Sequence, residues 1–302
     1  MNASGAMPSA VAEFESHRRY LIGVAYRMLG SLDEGEDIVQ DAYLRWHNAA
    51  QTTEIASLRP YLTRVVVRLC LDRLKSAQAR RETYIGPWLP EPIVGPSMFS
   101  SPAGAAEMAE DLSFALLLTL ERLSPLERAA FLLHDVFDMD FSEIAQALDR
   151  NEDACRQLAS RARAHVRENR PRFSASPEDH DSLVDTFMRA AQSGDPKLLA
   201  ELLAEDAVVL SDGGGRVPAA TRPVLGRDRV ALMFVRITQR FANYPQLRVV
   251  SSPVNGLPGI VLYDAGVPLQ TMALETNATG QIAKIYVVRN PEKLRHIPPL
   301  LA

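Results

Sequence analysis

The sequence predicts a multidomain chain with two all-α modules, the second containing a helix-turn-helix, followed by a C-terminal α+β domain. Three observations carry this reading. Apolar residues recur at helical spacing over roughly the first half of the chain, a stretch rich in Pro, Gly and Ser interrupts them at 86–104, and short strand-like runs dominate after Asp181. With 302 residues and 47% hydrophobic content the chain has material for several small cores.

The first helix is expected from Val11 to Gly30, where Leu21, Val24, Ala25 and Met28 share one face and Gly30 is placed to end it. Ser31-Leu32-Asp33-Glu34 has the form of a capping box, so a second helix starts there. Its apolar stripe is Ile38, Val39, Ala42, Tyr43 and Trp46, and its opposite face carries Asp37, Gln40 and Asp41. A polar stretch from His47 to Ser57 leads to a long helix starting near Pro60, with Leu62, Val65, Val66 and Leu69 inward. Its other side is basic, since Arg59, Arg64, Arg68, Arg73, Lys75, Arg80 and Arg81 face a single acid, Asp72.

The prolines Pro87, Pro90, Pro92, Pro96 and Pro102 cannot sustain a helix or a central strand, and the segment reads as an interdomain linker. Helices return near Ala105. Ser124-Pro125-Leu126-Glu127 is a second capping box, Asp140 can cap Phe141 to Leu148, and Asn151 can cap Glu152 to about Glu168. Only Asp149-Arg150-Asn151 separate those two helices, and Cys155, Leu158, Ala159 and Ala162 of the second face inward, which matches a helix-turn-helix. A polar, proline-containing boundary follows at Pro171 to Asp181. Beyond it, helices are expected at Leu183–Gln192, Pro196–Ala204 and near Arg227–Arg240. Strands are expected at Ala207–Leu210, Gln246–Ser251, Ile260–Tyr263, Pro268–Glu275 and Gln281–Val288. Asn277 to Gly280 marks a hairpin, so the later strands should pair antiparallel. The expected modules span 11–85, 86–104 (linker), 105–170 and 181–302.

Composition narrows the function classes. The formal net charge of -4 gives no global sign of a nucleic-acid binder, so such a role must come from local patches. Cys70 and Cys155 lie far apart with no CxxC or His-rich partner, which suggests neither disulfide nor metal site and fits a reducing cytoplasm. No apolar run approaches the ~20 residues of a membrane span, and Met1 to Ala10 lacks a basic start and an apolar stretch, so a soluble, unexported protein without cofactor is expected.

The candidate recognition helix exposes Arg156, Gln157, Ser160, Arg161 and Arg163. Arginine and glutamine can pair with base edges in the major groove, while serine and further arginines hold phosphates. A solvated helix with an ordinary basic surface would show the same residues, but the capped short helix and tight turn before it favour DNA. The basic face of the long helix, with Arg59, Arg64, Arg68 and Lys75, belongs to a different module, and two separate DNA-contacting modules imply a split target.

These segments resemble the extracytoplasmic-function (ECF) sigma factors. Arg18 to Trp46, with Asp37-Ile38-Val39-Gln40-Asp41, looks like their second conserved region, and Leu123 to Arg163 looks like their fourth. The resemblance implies a promoter-recognition subunit that binds core RNA polymerase through Asp37, Gln40 and Asp41. It implies that Arg59 to Arg81 and the loop 47–57 recognise the minus-ten element of promoter DNA, and that Glu152 to Arg163 read the minus-thirty-five element. The order of elements after Asp181 resembles the SnoaL-like, NTF2-like fold, an extension carried by one subgroup of that family. Three motifs tie the chain to the subgroup: Trp88-Leu89-Pro90-Glu91-Pro92, Asp212-Gly213-Gly214-Gly215 and Asn290-Pro291-Glu292-Lys293-Leu294. The family usually has aspartate where this chain has Glu292. Each motif alone reads equally as a stiff connector, a positive-φ turn or a strand end. Together they imply an intramolecular contact of the tail with the linker and helical core, tuning activity in cis.

Two rivals stand beside this reading: a one-component helix-turn-helix regulator with a ligand-sensing tail, and a fused cyclase-like or isomerase-like enzyme. The enzyme would have to use Asp212, Asp264 or His296, which form no converging acid-base pair in the sequence, so no catalytic role is expected. A small ligand in the pocket of the tail remains compatible with both other readings.

Overall fold

The computed structural model describes residues 6–51, 55, 57–95, 112–169, 177–241 and 244–301. The chain divides into two compact units, one of residues 1–82 with 116–169, the other of residues 83–115 with 170–302.

The first unit is helical. Helices α1 (Ala6–Leu29), α2 (Leu32–Ala49) and α3 (Leu58–Glu82) pack on one another, and α3 also packs on the first helix of the helix-turn-helix. Leu21, Val24, Ala25 and Met28 are fully buried, as their spacing requires, and Gly30 ends α1 at φ 72. The Ser31 hydroxyl accepts from the Glu34 amide at 3.1 Å and starts α2. On α3, Val67 and Cys70 join Leu62, Val66 and Leu69 in the core, while Val65 is half-buried. The buried stripe is therefore wider than the expected one.

After α4 (Phe114–Glu121), the helix α5 (Pro125–Phe131) opens with a complete Ser124/Glu127 capping box. It continues into a π-helical turn, Leu132–Val136, which no sequence signal indicated. The helix-turn-helix is formed by α6 (Phe141–Leu148) and α7 (Glu152–Asn169), with Asp149 in the left-handed region at φ 54 between them. Asn151 caps α7 through the Ala154 amide at 2.8 Å. Asp140 occupies the N-cap of α6 but makes no side-chain capping bond, so the cap expected there is only positional. The helix expected from Ala105 is described from Phe114; residues 105–111 lie outside the described residues.

The second unit has one six-stranded sheet in the order β2-β1-β6-β5-β4-β3. Its strands are β1 (Leu203–Asp212), β2 (Val224–Leu225), β3 (Leu247–Ser251), β4 (Gly259–Asp264), β5 (Val267–Thr276) and β6 (Ile282–Val288). Strands β3 to β6 pair antiparallel through the Asn277–Gly280 turn and its neighbours, but β1 pairs parallel with β6. Parallel pairing needs a long crossover, and the chain supplies it between β1 and β6. Strand β2 has two residues, too few for any alternation to show. Helices α8 (Pro177–Gln192), α9 (Pro196–Leu202) and α10 (Arg227–Arg240) cover the sheet; Phe187, Leu199, Val230 and Phe234 meet Leu262, Leu274 and Ile285 in one core. A fully buried side chain of this size contributes about 1.5–3 kcal/mol, so this core can sustain the unit.

Residues 83–95 are not a free spacer. Leu89 is fully buried, Pro90 to Ile93 are buried, and the segment clusters with the C-terminal unit. Proline-rich composition excluded helix and strand, yet it left open whether the extended chain lay on a surface, and here it does. Residues 96–104 of the expected linker lie outside the described residues.

Candidate nucleic-acid interface and linker clasp

The helix α2 presents Asp37, Gln40 and Asp41 at i, i+3, i+4, all exposed, because Ile38, Val39, Ala42 and Trp46 turn the other face into the core. On α3 the four candidate cations differ. The Arg59 guanidinium stacks 4.2 Å from the Tyr20 ring centroid and Arg64 lies 5.9 Å from that of Tyr61. Lys75 pairs with Asp72 at 2.9 Å. Arg68 donates to the carbonyls of Gln146 (3.2 Å) and Ala147 (3.3 Å), the last turn of α6. A basic side chain read as a DNA contact thus serves here as a C-terminal cap on the helix-turn-helix. Arg128 does the converse. Only 3% exposed, it donates to the Met28 carbonyl at the end of α1 (2.6 Å) and the Leu120 carbonyl (2.8 Å), and pairs with Glu121 at 2.8 Å. Burial lowers its pKa to about 10, still far above neutrality.

Along α7, Gln157 and Ser160 are exposed. Arg156 pairs with Glu152 (2.7 Å) and Asp153 (3.2 Å), and Arg161 with Glu127 (3.2 Å). Exposed pairs of this kind are worth about 0–1 kcal/mol, whereas a bidentate base contact is worth about 1–3 kcal/mol, so both arginines can exchange partners at little cost. Arg163 is half-buried, with Nε 2.7 Å from Asp135 and Nη2 donating toward His134 Nδ1 at 3.2 Å. That places it as a strut between α7 and the π-helical turn more than as a reading residue.

The three short motifs of the sequence converge in the second unit. Asp212, fully buried at the end of β1, is the centre. Its Oδ1 accepts from the Tyr84 hydroxyl (2.6 Å) and the Gly214 amide (2.9 Å), and its Oδ2 from the Leu89 amide (2.9 Å) and Lys293 Nζ (2.7 Å). Four donors fill the roughly four acceptor sites of a carboxylate. Lys293 also donates to the Leu89 carbonyl and lies 4.3 Å from the Trp88 ring centroid and 5.1 Å from that of Tyr84. Asn290 donates from Nδ2 to the Tyr84 hydroxyl at 3.0 Å and caps the 3₁₀ turn Pro291–Leu294 through the Glu292 amide at 3.1 Å. Leu294 is buried beneath. Burial and the Asp212 carboxylate push the Tyr84 hydroxyl well above its ordinary pKa, so it stays a donor.

The glycines are dictated by close approach. A Cβ on Gly213 would lie 2.4 Å from the Val217 carbonyl oxygen. On Gly214 (φ +60) it would lie 2.3 Å from Asn290 Nδ2, and on Gly215 (φ +69) 2.8 Å from Ile85 Cδ1. Glu292 reaches outward to Arg216 at 3.0 Å.

Sequence reasoning missed Tyr84 and Asn255. Asn255, at φ 51 and 1% exposed, accepts from the Ile93 amide (3.0 Å) and donates to the carbonyl of Leu112 (2.8 Å), holding the segment at a second point. Asn255-Gly256 signals only a turn, and a lone tyrosine after a helix carries no signal. His296, weighed as a catalytic candidate, donates from Nε2 to the Pro92 carbonyl at 2.7 Å; Glu91 is 3.9 Å from its other nitrogen. Asp212, Asp264 and His296 do not converge on one another among the contacts described.

Sigma-70 region 2 matches residues 14–80 and sigma-70 region 4 matches residues 113–166. Over 297 residues the chain is 40% identical to the ECF RNA polymerase sigma factor SigJ of Mycobacterium tuberculosis, covering 95% of this chain and 94% of that protein. It is 34% identical over 289 residues to the probable ECF RNA polymerase sigma factor SigI of the same species, covering 94% of each. The crystal structure of SigJ superposes with a TM-score of 0.73 at 37% identity, covering 94% of this chain and 97% of that one. The chain belongs to the ECF RNA polymerase sigma factors, a group of alternative sigma factors, and carries both sigma-70 regions followed by an α+β domain. No helix among the described residues is long and apolar enough to cross a membrane.

Proposed function

We propose that this sigma factor binds core RNA polymerase through Asp37, Gln40 and Asp41 and directs it to a promoter whose minus-thirty-five element is read by Arg156, Gln157, Ser160 and Arg161. Its α3 face, with Arg59, Arg64, Arg68 and Lys75, engages the minus-ten element, and Arg68 must leave the α6 carbonyls to do so. The C-terminal domain, read as SnoaL-like, regulates this activity in cis by holding the segment Tyr84 to Ile93, which joins α3 to the fourth region along the chain. The observation that carries the regulatory reading is the Asp212 clasp. A fully buried carboxylate with four donors, two of them from the linker segment, is costly to assemble unless the segment is meant to be held there.

The clasp also decides how to test the reading. Truncation after Pro171 would strip Leu89 and Ile93 of their cover and confound regulation with misfolding. A point variant avoids this. Full-length protein and Lys293→Met, each added to bacterial core polymerase on a template bearing the gene's own upstream region, are scored for transcript yield. A yield altered several-fold, with core-polymerase binding retained, supports regulation through the clasp; identical yields across a dose series would remove it.

A further inference from the structure

We infer that the C-terminal domain contains a binding site for an amphipathic carboxylate, a molecule with an apolar body and a single anionic end. The sheet, α8 and α10 surround a cavity of about 420 Å³, within the range typical of small-molecule sites. Phe187, Met188, Phe234, Leu262, Met272 and Val287 supply an apolar wall. Into this wall projects one charged group from the strand side. Arg289, directly after β6, donates from Nη1 to the Pro218 carbonyl, while its Nε is buried and has no hydrogen-bond partner. Burial lowers its pKa, though an arginine remains charged. Its guanidinium lines the cavity although the Nε itself is closed off, and a carboxylate is the anion that matches a guanidinium in both geometry and charge.

The remaining polar lining points the same way. Arg240 and Tyr244 also line the cavity, with Ser211 and Gln270, and no aspartate or glutamate is among the described lining residues. A cationic ligand would therefore meet two arginines and no counter-charge. A fully apolar ligand would bring no acceptor to either guanidinium.

The position of the site suggests its consequence, which rests on the regulatory reading of the clasp although the binding itself does not. Ser211 and Arg289 are the chain neighbours of Asp212 and Asn290, and the amides of Arg289 and Asn290 both donate to the Asp212 backbone carbonyl, at 2.7 and 3.0 Å. A carboxylate that draws Arg289 from Pro218 pulls on the strand end that carries the clasp.

Calorimetric titration of the full-length protein with decanoate, decanol and decylamine tests this. Decanoate should bind at least tenfold more tightly than either analogue, Arg289→Met should abolish that preference, and Arg289→Lys should keep part of it. Equal binding of all three, or no binding of decanoate, would overturn the inference, and this comparison of ligands on the unaltered protein does not depend on any variant folding. If decanoate binds selectively but leaves transcript yield unchanged, the site stands and its coupling to the clasp fails.

Discussion

Replacing Lys293 by methionine removes the counter-ion of Asp212 while keeping most of the buried stem, so little volume is lost. Lys293 makes two hydrogen bonds in the clasp, to the Asp212 carboxylate and to the Leu89 carbonyl. Charge-assisted bonds are worth about 1.5–3 kcal/mol each, and removal of one partner from a buried pair costs about 3–5 kcal/mol because the other charge is stranded; the two estimates agree. The loss falls on the state in which the Leu89 amide is bonded. At about 1.4 kcal/mol per decade, hydrogen exchange in the segment 84–95 should accelerate by roughly two to four orders of magnitude. Adding Asp212→Asn removes the stranded charge, so the double variant should be less destabilised than the sum of the singles by about 1–3 kcal/mol. Exchange by mass spectrometry on full-length proteins provides the measurement. Acceleration below tenfold, or strictly additive effects, would mean the pair does not hold the segment.

Further outcomes follow from other residues. Gly214→Ala should open the same segment, since its Cβ would collide with Asn290 and the backbone is left-handed there, a strain of about 1–3 kcal/mol visible in the same exchange experiment. Arg128→Met should lower the urea stability of the helical unit by about 3–5 kcal/mol, because it removes the buried ion pair with Glu121 and the donor to the Met28 carbonyl. Burial would raise the Glu127 carboxyl, but hydrogen bonds from Ser124 and the charge of Arg161 outweigh it and hold it below its ordinary 4.5. Its stabilisation is therefore present above that value and lost as pH falls through the lowered folded one. Glu127→Gln should cost about 1 kcal/mol at pH 7 and nothing in strong acid, as followed by denaturation across pH. Asp37→Asn with Gln40→Ala, both exposed, should leave stability within about 0.5 kcal/mol yet weaken capture by core polymerase in a pull-down.

Much of this molecule is legible in its sequence because periodicity and caps are local. Leu21 to Met28, the Ser31 and Ser124 caps, the Asn151 cap and the Arg227–Arg240 helix all follow from spacing and residue type. The parallel pairing of β1 with β6 was not legible, because register between distant strands has no local signature. The clasp was half legible. Its three motifs stood out, but Tyr84 and Asn255 complete it through contacts between residues 128 and 162 positions from their partners. Arg68 and Arg163 show the opposite limit: an arginine on a helix surface looks the same in sequence whether it is open to phosphate or also bonds a neighbouring carbonyl, as Arg68 does, or carboxylate, as Arg163 does.

As a sigma factor, this chain should make core polymerase start at a defined promoter. Purified full-length protein is added to bacterial core polymerase with its own upstream region as template, and the transcript is mapped at its 5′ end. A discrete transcript, missing with core enzyme alone and lost when Arg156, Gln157 and Arg161 are changed to alanine, is the predicted result. Tight binding to the template without polymerase, and no transcript with it, would instead mark a regulator that acts by itself on DNA.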